Sequence, residues 1–176
     1  MFLETTRTLL SPLQDEHIGP LKSILINPAV NRLLFSGRLT TDAAVESFVK
    51  KELKFGLEGQ PPHSGIGVLT LKTTGGTPIV LGIAGLIPCN HYPQPAYEFG
   101  FVLDEAYWGQ GLATEIGRAQ IEAGFQKLEL NRINAMVHPE NTASRAVLEK
   151  KLGMTYVETI ETEDRGPRMV FVINNT

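Results

Sequence analysis

Cysteine is almost absent from the chain: Cys89 is the single one in 176 residues. An internal disulfide framework is therefore excluded, and a lone thiol points to a reducing compartment. Long apolar runs are missing too, and none approaches the ~20 residues needed to span a bilayer. The N-terminus, MFLETTRTLL, lacks a basic segment followed by a long apolar core, so no secretory signal is expected there. The net charge of −3 lacks the basic excess of a nucleic-acid binder, although a local basic site is compatible with it. His17, His63, His91 and His138 show no paired ligand spacing, so no metal is predicted. No nucleophile elbow is present, which leaves Ser/His/Asp hydrolysis without support. Internal repeats, low-complexity tracts and interdomain linkers are likewise missing. What remains is an expectation of one soluble, cytoplasmic domain over residues 1–176. At 176 residues the chain is long enough for a proper core, and 42% apolar with 20% charged residues is ordinary for a soluble globular protein.

The most informative stretch that is present runs from Tyr97 to Glu115, YEFGFVLDEAYWGQGLATE. It reads as a strand, a short turn, then Gly109-Gln110-Gly111 leading into a helix. Such an order makes an anion site, because the first helical N–H groups lack partners and the peptide dipoles leave positive charge there. Glycine lets the backbone approach a phosphate without a Cβ intervening. A tight turn before a buried helix is the simpler alternative. In the strand, Tyr97, Phe99, Phe101 and Leu103 share one face, and Glu98, Gly100 and Val102 the other. In the helix, Leu112, Ile116, Ala119 and Ala123 form one stripe, with Ile121 and Phe125 nearly opposite. Polar Glu115, Arg118, Glu122 and Gln126 keep to a narrow arc, so this helix is expected to be covered on more than one side.

The rest of the chain supplies further elements. Residues 3–10 read as a first strand. Asp15 caps a helix to about Ile26 that Asn27-Pro28 stops, and residues 29–40 are ambiguous. Thr41 or Asp42 caps a second helix to about Phe55, and Gly56 to Ser64 is a loop. Gly65–Lys72 and Ile79–Ile87 form a hairpin through Gly75-Gly76. Pro88 to Pro95 is a loop carrying Cys89, read as a small buried apolar residue, with His91 and Tyr92. Arg132–His138 is a strand. Asn141 caps a helix through Leu152 with Gly153 just past its end. Met154–Glu161 and Arg168–Ile173 are closing strands around a hairpin loop. The sum is one α+β domain.

Two motifs at this separation carry a resemblance. Glu98-Phe-Gly-Phe-Val-Leu with Tyr107-Trp-Gly-Gln-Gly-Leu-Ala-Thr-Glu115 resembles the acetyl-CoA-binding core of the GNAT acetyltransferases. So does Val137-His-Pro-Glu-Asn-Thr-Ala-Ser144 followed by Val147-Leu-Glu-Lys-Lys-Leu-Gly-Met154. The Tyr-Trp-Gly-x-Gly turn, the Asn-x-x-Ser helix start and Leu3-Glu-Thr-Thr-Arg7 are similar to the subgroup of ribosomal-protein N-terminal acetyltransferases. The resemblance implies a twisted, mostly antiparallel mixed sheet of about seven strands with helices on both faces. It also implies a sheet that splays between Tyr97–Leu103 and Arg132–His138 to admit the cofactor arm. Two departures stand out. Leu148 occupies the place of the tyrosine acid of many members, and Lys150-Lys151 makes that run one residue longer than usual.

The resemblance further implies that acetyl-CoA is the co-substrate, bound by backbone groups of Gly109, Gln110, Gly111, Leu112, Ala113 and Thr114. Phe101, Val102 and Leu103 would contact the pantetheine arm, and Asn141 the arm or the phosphates while also capping its helix. Glu98 is the candidate general base, since a partly buried carboxylate accepts an amine proton directly or through water. Pairing with a cation or orienting substrate is its alternative role. Ser144 is placed near the thioester sulfur, as cofactor contact and donor to the leaving thiolate, although a serine in a first helical turn is commonplace. Glu98, His91 and Tyr92 are candidates for acceptor contact, the latter two otherwise being plain loop residues. The expected reaction is direct acetyl transfer to an amine, a protein N-terminus or a small molecule, without nucleic acid or membrane, by a monomer or homodimer. A binding or regulatory module with little catalysis is the competing reading, motivated by the missing tyrosine.

Overall fold

The structure, a computed structural model, describes residues 3–34, 39–50, 64–89, 96–163 and 165–175. One sheet of eight strands organises them, in the order β1-β2-β3-β4-β5-β6-β8-β7. These are β1 Leu3–Glu4, β2 Thr8–Ser11, β3 Gly65–Leu71, β4 Ile79–Pro88, β5 Tyr97–Leu103, β6 Arg132–Val137, β7 Thr155–Thr162 and β8 Gly166–Asn174. The eighth strand arises because the expected first strand is broken. Thr5 turns its hydroxyl onto Thr8 and Glu115 instead of continuing the ladder, leaving β1 and β2 as a small hairpin. Every neighbouring pair is antiparallel except β5–β6. A parallel pair needs a crossover, and helix α4, Leu112–Lys127, falls between these two strands in the chain.

Helices α1 (Asp15–Ile26), α2 (Pro28–Leu34) and α3 (Asp42–Phe48) precede β3. Two boundaries differ from the sequence reading, and a third agrees with it. Gln14, not Asp15, is the N-cap of α1, and His17 Nδ1 accepts the Gln14 N–H at 3.1 Å. Pro28 both ends α1 and opens α2. Its fixed φ suits a first helical position, and Asn27 Oδ1 caps the turn by accepting from Ala29 N–H at 2.9 Å. Thr41 caps α3 through Ala44 N–H, and the helix is followed to residue 50, beyond which the expected continuation lies outside the described residues.

The sheet is covered on both faces, and the alternation in β5 decides which residue looks where. Val102 joins Val68 and Ile83 under α1, α2 and α3, with Leu21, Leu25 and Val45. Phe99 points the other way, with Leu86, Ile133, Phe171 and Ile121 of α4. Leu103 packs with Leu10, Leu81, Leu112 and Ile116. Helix α4 thus supplies two clusters, as its wide apolar surface requires, while Arg118, Glu122 and Gln126 are exposed. Buried Gln120 was not anticipated. No helix among the described residues is long and apolar enough to cross a membrane.

Candidate functional site

Strands β5 and β6 share one register pair, Glu98 with Asn134, although both continue beyond it. Past that point they part, and the gap between them is the centre of the site. Phe99, Gly100, Phe101 and Val102 on one side and Ala135, Met136 and Val137 on the other line a cavity of about 520 Å³. A second cavity of about 570 Å³ continues from it, between α2 and residues 140–151, to the glycine loop and the first turn of α4. Leu33, Leu34, Phe101, Val102, Asn141 and Ser144 line both, so the two form one trough.

At the loop end, Gly109 and Gly111 take φ of +73° and +77°, a left-handed conformation that glycine adopts without Cβ strain. The N–H groups from Gly109 through Thr114 find no acceptor among the described residues, and the first α4 turn closes only with Glu115 N–H on Gly111 O. These unpaired donors and the helix N-terminus give the loop its positive polarity. Gly109, Gly111, Leu112, Ala113 and Thr114 line the trough. Gln110 does not: its side chain folds back to Ala106 O at 3.2 Å. The loop is pinned from two sides. Trp108 Nε1 donates to Leu103 O at 2.9 Å, tying it to the end of β5. Arg7 Nη1 donates to Gln110 O at 2.9 Å, while Arg7 Nε and N–H reach the Glu115 carboxylate at 2.6 and 2.8 Å and Thr5 Oγ1 reaches it at 2.6 Å. Burial works against a charge on Glu115. The Thr5 hydroxyl, the Arg7 N–H and the Arg7 guanidinium nevertheless hold its carboxyl below the usual value.

At the inner end, Glu98 has a side chain only 13% exposed and lies 3.7 Å from Arg165 Nη1. The β7–β8 turn that carries Arg165 is fixed by Thr162, whose Oγ1 accepts from Arg165 N–H and donates to Gly166 O. Arg168 lines the same cavity and holds the C-terminal end of α2 through Leu34 O at 3.1 Å. Asn141 caps α5 (Thr142–Ala146) by accepting from Ser144 N–H at 3.1 Å. The expected helix to Leu152 is not a single α-helix, because residues Val147–Lys151 form a π turn. Leu148 is buried.

Glu98, Phe101, Val102, Asn141 and Ser144 are therefore brought together on the inner cavity, and Leu103 with the loop residues on the outer one. His91 and Tyr92 lie outside the described residues. Cys89 is buried, as its reading required. Among the described residues no group of His, Cys, Asp and Glu is arranged to hold a metal. The sequence reading missed Arg165, Arg168, Asn134 and the α2 leucines, which reach the site only through tertiary contacts. The clamp on the loop did have a signal, since Thr5 and Arg7 belong to the resembling N-terminal run.

A sheet that opens in this way admits a long, thin ligand between strand edges, and the class that ends such a gap at an amide-lined glycine loop is the GNAT acetyltransferases. A family model for the acetyltransferase (GNAT) domain matches residues 7–155, and the chain belongs to that family. It is similar to the uncharacterized N-acetyltransferase p20 of Bacillus licheniformis, 30% identical over 146 residues, covering 83% of this chain and 78% of that protein. YkkB of Bacillus subtilis is 36% identical over 80 residues, a stretch that spans 46% of each chain. A Bacillus anthracis GNAT-family acetyltransferase structure superposes with TM-score 0.78 at 22% identity, covering 99% of this chain and 98% of that one. A coenzyme A complex of RimL, a ribosomal L7/L12 alpha-N-protein acetyltransferase, superposes with TM-score 0.72 at 15% identity, covering 97% and 95%. The activity that accompanies this family is acetyl-CoA-dependent acetyl transfer.

Proposed function

We propose that the chain transfers acetyl from acetyl-CoA directly to a primary amine, the leading acceptor being a protein N-terminal α-amine and the second a small-molecule amine. The observation that carries this reading is the unbroken trough from the Gly109–Thr114 amides to Glu98. The site suits the co-substrate on chemical grounds: unpaired amide donors match a pyrophosphate, and the β5–β6 gap matches a narrow apolar arm. When bound, acetyl-CoA supplies an activated thioester. The chain's own residues do the remaining work. Phe101 to Leu103 line the arm's path, and Leu33 and Leu34 cover it from the α2 side. Glu98 takes the proton of the incoming amine, with Arg165 beside it to balance its charge. Ser144 offers a hydroxyl where both cavities meet, in reach of a departing thiolate. The N-terminal acceptor rests on analogy with the RimL likeness and on the subgroup motifs.

The test is thiol release from acetyl-CoA with a panel of N-terminal peptides and small amines, run for wild type and Glu98→Gln, beside direct acetyl-CoA binding. Acceptor-dependent release is expected, with kcat reduced about 10²- to 10³-fold in Glu98→Gln and binding retained. Unchanged turnover in that variant would remove Glu98 as the base. Absence of acetyl-CoA binding in the wild type would overturn the whole reading.

A further inference from the structure

We infer that Asn134 is a positioning residue for the transfer reaction, holding the Tyr97–Glu98 peptide at the point where β5 and β6 separate. This rests on the assignment of Glu98 as base. Across the β4–β5 ladder, Cys89 N–H donates to Ala96 O. Antiparallel neighbours alternate the edge to which their carbonyls point, so the Tyr97 carbonyl is turned away from β4, toward β6. Its partner there is the Asn134 side chain, whose Nδ2 donates to it at 3.1 Å. The amide orientation is fixed by chemistry, because Asn134 Oδ1 accepts from Arg132 Nε at 2.9 Å. A guanidinium N–H can only donate and a peptide carbonyl only accept, so a flipped amide fails at both ends.

Asn134 is 2% exposed, and its backbone provides the one register pair with Glu98. The Tyr97 carbonyl and the Glu98 N–H belong to one planar peptide, so the side-chain bond to Tyr97 constrains the plane from which Glu98 departs. Beyond this tie, β5 has no register partner on β6 and lines the cavity instead. Asn134 therefore sits at the apex of the opening and sets where the carboxylate begins. The glycine loop is anchored elsewhere, through Arg7 and Trp108, so cofactor affinity is separable from this placement.

Kinetics and acetyl-CoA binding of Asn134→Ala, Asn134→Asp, Glu98→Gln and the Asn134→Ala/Glu98→Gln double variant test the inference. Asn134→Asp keeps the shape and the Arg132 contact but replaces the donor with a carboxylate oxygen, acceptor against the Tyr97 carbonyl, so it breaks the same tie and decides the matter if the alanine variant does not fold. In that event the double variant is built on Asn134→Asp. The expected single-variant result is a kcat lower by about 10- to 100-fold with Kd for acetyl-CoA within about threefold of wild type. The double variant should be no slower than Glu98→Gln within about twofold, because nothing remains to be positioned. Multiplicative losses, or a kcat loss matched by an equal loss of acetyl-CoA affinity, would overturn the role. Full turnover in Glu98→Gln would instead sink the base assignment, a separate failure.

Discussion

Removing the charge on Glu115 should loosen the glycine loop and weaken acetyl-CoA binding. In Glu115→Gln one oxygen can still accept from Thr5 Oγ1 and Arg7 N–H, but the new amide nitrogen then meets Arg7 Nε across 2.6 Å, donor against donor. A charge-assisted bond is lost, roughly 1.5–3 kcal/mol where it is shielded. Arg7 is 44% exposed, so solvent screening reduces the effect to about 1–1.5 kcal/mol. Arg7 also holds Gln110 O, and its release frees the segment that presents the unpaired N–H groups. If most of that ordering must be regained on binding, the acetyl-CoA Kd rises about 5- to 10-fold, since about 1.4 kcal/mol is tenfold. Calorimetric titration of wild type, Glu115→Gln, Arg7→Ala and the double variant measures it. The two single effects should overlap, with a coupling on the order of 1 kcal/mol. A Kd unchanged within twofold while both variants lose thermal stability would refute the reasoning and leave the contact purely structural. The pH dependence carries the same sign. The folded carboxyl is held below the unfolded value of 4.5, so its contribution is present above about pH 4.5 and lost as pH falls through the folded value. Wild-type Tm should therefore fall more steeply than that of Glu115→Gln in this interval.

Two further outcomes are expected. Burial lowers the His17 value from 6.5, partly offset by Glu16, so its contribution is complete above about pH 6.5 and is drawn down as pH falls toward the lower folded value. The Tm of His17→Gln between about pH 5 and 7 should be flatter than that of wild type, and equal slopes would contradict the assignment. Gly82→Ala should cost roughly 2–4 kcal/mol, a Tm drop on the order of 5–15 °C by thermal unfolding, because φ is +145° and the new Cβ would lie 2.0 Å from Val102 O. A drop below about 2 °C would show that β4 and β5 shift apart freely.

What could be read without coordinates was local. The bounds of β5, the opposite facing of Phe99 and Val102, and the wide burial of α4 all follow from periodicity, and all are found. The broken first strand was not legible, because the alternative partner for Thr5 is Glu115, 110 residues away. Arg165 is a similar case: in sequence it is one residue of a hairpin loop, and only the placement of β8 beside β6 brings it to Glu98. The start of α2 was legible in principle. Asn followed by Pro is a cap and first-turn pair as well as a stop, and here it serves both purposes.

The helix that begins at Asn141 changes its winding over Val147–Lys151, with consequences for the site. Leu152 N–H bonds to Val147 O, five residues back, so the chain widens into a π turn over Val147–Lys151, and Met154 N–H closes its end on Leu148 O. A π turn is the usual way for a helix to absorb one additional residue without shifting both its ends. The N-terminal end keeps the Asn141 cap and Ser144 on the trough, while Leu148, Leu152 and Met154 remain in the core with Phe99 and Ile133. A chain that carried the extra residue as regular α-helix would rotate one of these sets by about 100°. Leu148 therefore stays an apolar core residue and brings no hydroxyl to the cavity it borders. Among the described residues, Ser144 is the one hydroxyl-bearing side chain common to both cavities, which is where the proposed transfer asks for a donor.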